Sequence, residues 1–179
     1  HFTSKWDASG QIPEREVANG NITRFGAIDD TEGGETSRTN INLQHNKTLQ
    51  DNKEIESNIF YTRYNFKLYS NFTFFLDDPI NGDQIKQVEN RDVFGFNTKI
   101  SKEITLNTID VDVNLGTGLR FDIIKDLELS HTLNRREVLD NIQLGEVNQS
   151  NYYAFADATF NFDKFKINTA LRLDHLRFS

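Results

Sequence analysis

The sequence predicts an all-β fold: an antiparallel up-and-down meander of about six long strands that forms part of a larger transmembrane β-barrel. Three observations predict it. Between Asn58 and Leu76 one alternate set, Phe60, Thr62, Tyr64, Phe66, Leu68, Ser70, Phe72, Phe74 and Leu76, carries no charge, while the other set holds Arg63 and Lys67. Side chains of a strand alternate sides, so this is a strand with one apolar and one polar face. It outlasts the usual soluble strand of about 5–6 residues, and a tilted strand crossing a bilayer needs about 9–11. The second observation is that the connections alternate long and short: 1–37, 48–53, 77–86, 101–105, 124–149 and 163–164. Bacterial barrels join long extracellular loops to short periplasmic turns in this way. The third is that mean hydropathy is −0.61 with no apolar run near 18 residues, which excludes a spanning helix and leaves a barrel open.

Taken in order, residues 1–37 read as an extracellular loop punctuated by Gly10, Gly20, Gly26, Gly33 and Gly34. A short helix fits Pro13–Asn19, with Pro at its first turn and Gly20 just past its end. Asp29, Asp30 and Glu32 read as a solvated acidic turn. Residues 38–179 then form the partial barrel, with strands expected at 37–47, 54–76, 87–100, 106–123, 150–162 and 165–173. The strand at 106–123 alternates Ile109, Val111, Val113, Leu115, Thr117 and Leu119 with Asp110, Asp112, Asn114, Gly116, Gly118 and Arg120. Gly116 and Gly118 leave room on its polar face for neighbouring material.

Placing Arg or Lys against mid-bilayer lipid costs roughly 2–4 kcal/mol. Arg63, Lys67, Asp112, Arg120 and Arg172 are therefore expected to face the lumen. Phe60, Phe66, Leu68, Val111, Val113, Ala156 and Ile167 are expected on the opposite face. His131, Arg135 and Arg136, placed in the long loop 124–149, are candidate contacts for an anionic ligand, as is Arg24 in the first loop.

The remaining chemistry is sparse. The net charge of −7 argues against a nucleic-acid partner. The absence of cysteine excludes disulfides and thiolate metal sites. No nucleophile elbow, phosphate loop or His-Glu-x-x-His stands in the chain. No catalytic residue, metal site or cofactor is expected, and the chain does not read as an enzyme. A chain without Met that begins at His1 reads as a piece of a longer protein.

The stretches Phe2-Thr-Ser-Lys-Trp-Asp-Ala-Ser-Gly-Gln-Ile-Pro-Glu-Arg, Ile22-Thr-Arg-Phe-Gly-Ala-Ile-Asp-Asp-Thr-Glu-Gly-Gly and Thr36-Ser-Arg, with Leu171-Arg172-Leu173-Asp174 near the end, resemble the barrel of TonB-dependent outer-membrane receptors of Gram-negative bacteria. The last stretch has Leu where that family commonly has Tyr. The resemblance implies a segment of a 22-stranded barrel, with the family's N-terminal plug and TonB box outside it. It implies outer-membrane lipid, the receptor's own plug, the energy-coupling protein TonB and a small-molecule or metal-chelate ligand as partners. The ligand classes are iron–siderophore complexes, haem, cobalamin and glycans. Two alternatives stay open: another outer-membrane barrel that anchors or exports, and a soluble β-sandwich binding module whose apolar faces form a core.

Overall fold

The computed structural model describes residues 1–8 and 10–179. Seven strands form one sheet in sequential order: β1 Phe2–Asp7, β2 Gly33–Leu49, β3 Lys53–Ser70, β4 Ile85–Leu106, β5 Ile109–Leu133, β6 Glu137–Asn161 and β7 Lys166–Phe178. The chain is thus the all-β antiparallel meander of long strands that its alternation predicts. The helix is also where expected: α1 covers Glu14–Ala18, with Pro13 before it, Asn19 as its C-cap and Gly20 in the left-handed region at φ 74°.

Several boundaries differ from the expectation. Phe2–Asp7 is a strand and not loop, paired antiparallel with Gly33–Arg38, which makes seven strands instead of six. Its six residues are too short to stand out beside the glycines that follow. The apparent connection at 101–105 lies inside β4, and the turn falls at Asn107-Thr108, where Asn107 takes φ 57°. The apparent long loop 124–149 is mostly strand, with β5 running to Leu133 and β6 starting at Glu137. Only Asn134-Arg135-Arg136 connects them, with Asn134 and Arg135 both at positive φ, as a two-residue primed hairpin turn requires. That turn lacks glycine, and around it charged and apolar residues share the same faces, so neither the turn nor the alternation shows in composition. The organising strand also stops at Ser70, and residues 71–84 form the next connection.

Contacts divide the chain into two compact units. Unit 1 holds His1–Thr39, Arg63–Arg91 and Ile124–Glu146, and unit 2 holds Asn40–Thr62, Asp92–Ile123 and Val147–Ser179. Unit 1 contains the connections 8–32, 71–84 and 134–136, and unit 2 contains the tight turns at 50–52, 107–108 and 162–165.

Within unit 2 the two faces of the sheet differ in chemistry. On one, Ala156 opposes Leu171, Ala154 opposes Leu173 and Phe160 opposes Ile167. Leu171 and Leu173 are two-thirds exposed there. On the other, polar side chains bond from strand to strand. Ser101 Oγ lies 2.6 Å from Asn114 Oδ1, Asn114 donates to Asp157 Oδ1 at 2.8 Å, and Asn161 donates to Asp112 Oδ2 at 3.0 Å. Gly116 and Gly118 open this polar face as expected, and the material that fills them is aromatic: a Cβ on either would run into the ring of Phe155 or of Tyr153. Phe60 is a correction. Its ring lies over Gly95, on the face where Lys99 pairs with Glu56 at 3.2 Å and Ser101 meets Asn114. Gly95 offers no side chain there, so the ring takes its space, and Phe60 shares a side with Glu56, Lys99 and Ser101. Arg63 and Lys67, expected with the lumen charges, alternate on β3 to the side of Ile59 and Tyr61 instead.

Replacing Gly116 by Val should displace the Phe155 ring and destabilise the folded protein by about 1–3 kcal/mol, the usual cost of overpacking. Phe155→Ala in the same chain should recover most of that loss. Denaturant unfolding of the two variants in detergent checks the pair.

Among the described residues the buried apolar side chains are Val93, Val111 and Ile124. The buried polar ones are Glu32, Ser70, Asn71, Gln84, Asp122, Ser130 and Thr132. A soluble sandwich buries the opposite kind of side chain between its sheets. The single sheet with its exposed leucines, isoleucines and phenylalanines therefore stands against the sandwich reading.

Candidate functional site

The candidate site is the polar face of unit 1, built rung by rung across β1, β2 and β3. Register places Thr3 opposite Ser37, Lys5 opposite Glu35 and Asp7 opposite Gly33. The rungs continue onto β3: Asn65 Nδ2 donates to Ser37 Oγ at 2.9 Å, and Lys67 Nζ donates to Glu35 Oε1 at 2.7 Å. The last rung is closed from the turn after β5, where Arg135 donates to Asp7 Oδ1 at 3.2 Å and its guanidinium lies 5.6 Å from the centre of the Tyr69 ring. On β4 and β5 the face continues with Lys86 donating to Glu128 Oε2 at 2.8 Å and Asn90 to Asp126 Oδ2 at 2.9 Å.

Two adjoining depressions lie along these rungs. One, of about 510 Å³, is lined by Thr3, Lys5, Glu35, Ser37, Asn65, Lys67 and Asn90 among others. The other, of about 190 Å³, shares Lys5, Glu35 and Lys67 and adds Tyr69 and Arg135. The groove sets hydroxyl and amide groups, two ammonium groups and one carboxylate beside the apolar Phe66 and Val88, a lining suited to a ligand with both an anionic and an apolar part. The Lys67–Glu35 pair is partly exposed on both sides, and such pairs contribute only about 0–1 kcal/mol. Opening it to admit a ligand costs little.

The connections are tied together by Gln84, which is almost fully buried. Its amide donates to Asp29 Oδ2 at 3.2 Å and Thr31 Oγ1 at 2.6 Å, and its Oε1 accepts from the Arg135 backbone N–H at 2.9 Å and Thr132 Oγ1 at 3.2 Å. Arg135 also donates to the carbonyls of Thr31 and Glu32. Its positive φ of 60° is held by these contacts. Burial pushes the Asp29 carboxyl up, but hydrogen bonds from Thr31, Asn71 and Gln84 outweigh it and hold it below the ordinary carboxylate range. Asp29 thus serves as an acceptor within the connection.

Asp83 does the same for 71–84. Its carboxylate accepts the backbone N–H groups of Leu76, Asp77 and Asp78, the last at 2.7 Å. Desolvation raises its pKa, but those bonds and one from Thr73 outweigh it and bring the value down to about 2. A depressed carboxylate contributes stability above its unfolded pKa of about 3.9, and that contribution is lost as pH falls through the folded value. The wild-type connection should therefore resist pepsin at pH 4 and yield near pH 2, whereas Asp83→Asn should already be cut within 71–84 at pH 4.

The structure separates the residues nominated from sequence. His131 lies on β5, with Nε2 2.5 Å from the Gly82 carbonyl oxygen, and Arg135 binds the connections and Tyr69. Arg136 and Arg24 are exposed turn residues, and among the described residues neither side chain touches the groove. Of the charges expected in the lumen, Lys67 is on the site itself. Arg63 is half-buried on β3. In unit 2, Asp112 accepts from Asn161, Arg120 binds Asp122 at 2.9 Å, and Arg172 binds Asp174 at 2.8 Å while its guanidinium lies 4.0 Å from the Tyr153 ring centre. Lys5, Glu35, Tyr69 and Gln84 were not nominated. Lys5 and Glu35 were hidden because 1–37 read as loop, and nothing local marks Gln84. Among the described residues no group of three or more His, Asp or Glu is placed to hold a metal ion.

No curated protein and no solved structure matches the chain. A family model does, described as TonB dependent receptor-like, beta-barrel, and it covers residues 2–179. With its all-β meander and its apolar and polar faces, the chain belongs to the TonB-dependent receptor β-barrel family, as a segment of such a barrel.

Proposed function

We propose that this chain is a stretch of barrel wall in an outer-membrane receptor of a Gram-negative bacterium that imports a polar small molecule or metal chelate, driven by TonB. The observation that carries the reading is the height of the apolar band in unit 2. One edge of the band is an aromatic row running from strand to strand. Tyr61 and Phe94 have ring centres 4.9 Å apart, Phe121 and Tyr152 5.6 Å, and Tyr152 and His175 6.3 Å. The other edge is the Phe162–Phe165 stack, at 4.6 Å. From Tyr152 to Phe162, at about 3.4 Å per residue and a tilt of roughly 40°, the strand climbs about 26 Å, close to the ~25 Å apolar band of outer-membrane barrels.

In this reading the face with Leu171 and Leu173 meets lipid, and the face with Asp112, Arg120 and Arg172 meets the lumen and the receptor's plug. The connections 8–32 and 71–84 stand outside the cell, and the rungs from Lys5 to Lys67 lie beside them. Arg135, His131, Arg136 and Arg24 belong to the extracellular rim. Ferric siderophores, haem, cobalamin and glycans are the ligand classes to test. Deleting the receptor's gene should abolish TonB-dependent uptake of one of them, and the wild-type gene should restore it only in cells that have TonB. Unchanged uptake of all four would contradict the proposal.

A further inference from the structure

Two connections of unit 1 are tied to each other through polar side chains. Asp29 Oδ2, in 8–32, accepts from Asn71 Nδ2 at 2.9 Å and from Gln84 Nε2 at 3.2 Å, both in 71–84. Gln84 Nε2 also donates to Thr31 Oγ1 at 2.6 Å. Asn71 and Gln84 are buried, so a lost bond leaves polar atoms that water does not reach, and such networks fail as a unit. Gln84 also joins this body to the wall. It stands just before β4, and its Oε1 accepts from the Arg135 backbone N–H and from Thr132 Oγ1.

The Arg135 side chain holds the same body at a second point, through the carbonyls of Thr31 and Glu32. Its carboxylate contact is to Asp7 at 3.2 Å, and the Asp7 side chain is 80 % exposed. Arg135 therefore spends its charge mainly on neutral acceptors. It also lines the smaller depression of the candidate site, beside Lys67 and Tyr69. Hydrogen bonds to an ionised acceptor are about twice as strong as those to a neutral one. An anion in the depression therefore outcompetes the two carbonyls for the guanidinium, with Lys67 sharing its charge. Resting on the reading of this groove as a ligand site, we propose that connections 8–32 and 71–84 form one lid that pivots at Gln84. The Arg135 guanidinium is its latch, and an anionic group entering the depression opens it.

Hydrogen exchange read by mass spectrometry on the full-length receptor in mild detergent tests both parts. The probe is inorganic phosphate, compared with chloride at equal ionic strength. Gln84→Ala should speed exchange in 29–32 as well as in 71–83, and Asp29→Asn should speed 71–83 as well as 29–32, each by about tenfold. Phosphate should speed both stretches of wild type together. Arg135→Gln should exchange fast without phosphate and gain nothing from it, while Lys67→Gln should stay slow and respond less. Slow exchange through 55–62 of β3 reports that a variant is folded, and either tie variant alone decides whether there is one lid. Loosening confined to the connection that carries the substitution would overturn the single lid. A phosphate response that survives Arg135→Gln, or none in wild type, would overturn the latch. A responding latch in a receptor that fails the uptake assay defeats the transport reading alone.

Discussion

Replacing Ala156 by Arg should destabilise the receptor in lipid vesicles by about 2–4 kcal/mol, whereas the same replacement at Ala170 should cost under about 1 kcal/mol. The two alanines are a matched pair. Ala156 on β6 opposes Leu171, on the apolar face between Tyr152 and Phe162, while Ala170 on β7 opposes Asp157, on the face of Asn114 and Arg172. At the first site a guanidinium must lose its water to hydrocarbon. At the second it meets a carboxylate one strand away. Urea titration of both variants in vesicles measures the difference. Equal losses would mean that both faces see the same solvent.

Expressed alone, residues 1–179 should aggregate in buffer. β1 and β7 end the sheet order, and β7 is exposed at every position. Its free backbone groups are a template for pairing with another chain. The apolar face adds Ile41, Leu43, Ile59, Leu115, Leu171 and Leu173, all more than half exposed. In a closed barrel, lipid and neighbouring strands cover both features. Size-exclusion chromatography without detergent decides it: high-molecular-weight material is expected, and a monodisperse monomer with cooperative unfolding would revive the sandwich.

The sequence made the fold legible wherever a strand meets different solvents on its two faces. β5 from Ile109 to Arg120 and β6 from Tyr152 to Phe160 follow the expected alternation, because apolar and polar surroundings select opposite residues at successive positions. The alternation is weak in Ile124–Leu133 and Glu137–Gln149, where charged and apolar residues share a face, and these stretches looked like loop. Phe60 was misplaced for another reason. An aromatic ring can sit on a polar face when a glycine such as Gly95 faces it, and strand periodicity does not register that pairing. The site was less legible still. Lys67 could be nominated from its strand, but Glu35 becomes its partner only through the β2–β3 pairing, and Arg135 reaches Asp7 across more than a hundred residues of chain.

The most direct test of the barrel assignment is a spin-label scan of β6. This stretch contains no cysteine, so single cysteines can be placed in turn from Tyr152 to Phe160 in the full-length receptor in lipid vesicles. Labels at 154, 156 and 158 should be accessible to oxygen dissolved in lipid, and labels at 153, 155 and 157 should be shielded from it, with a period of two. Accessibility without that period, or low at every position as in a sealed protein core, would contradict a strand that separates lipid from lumen.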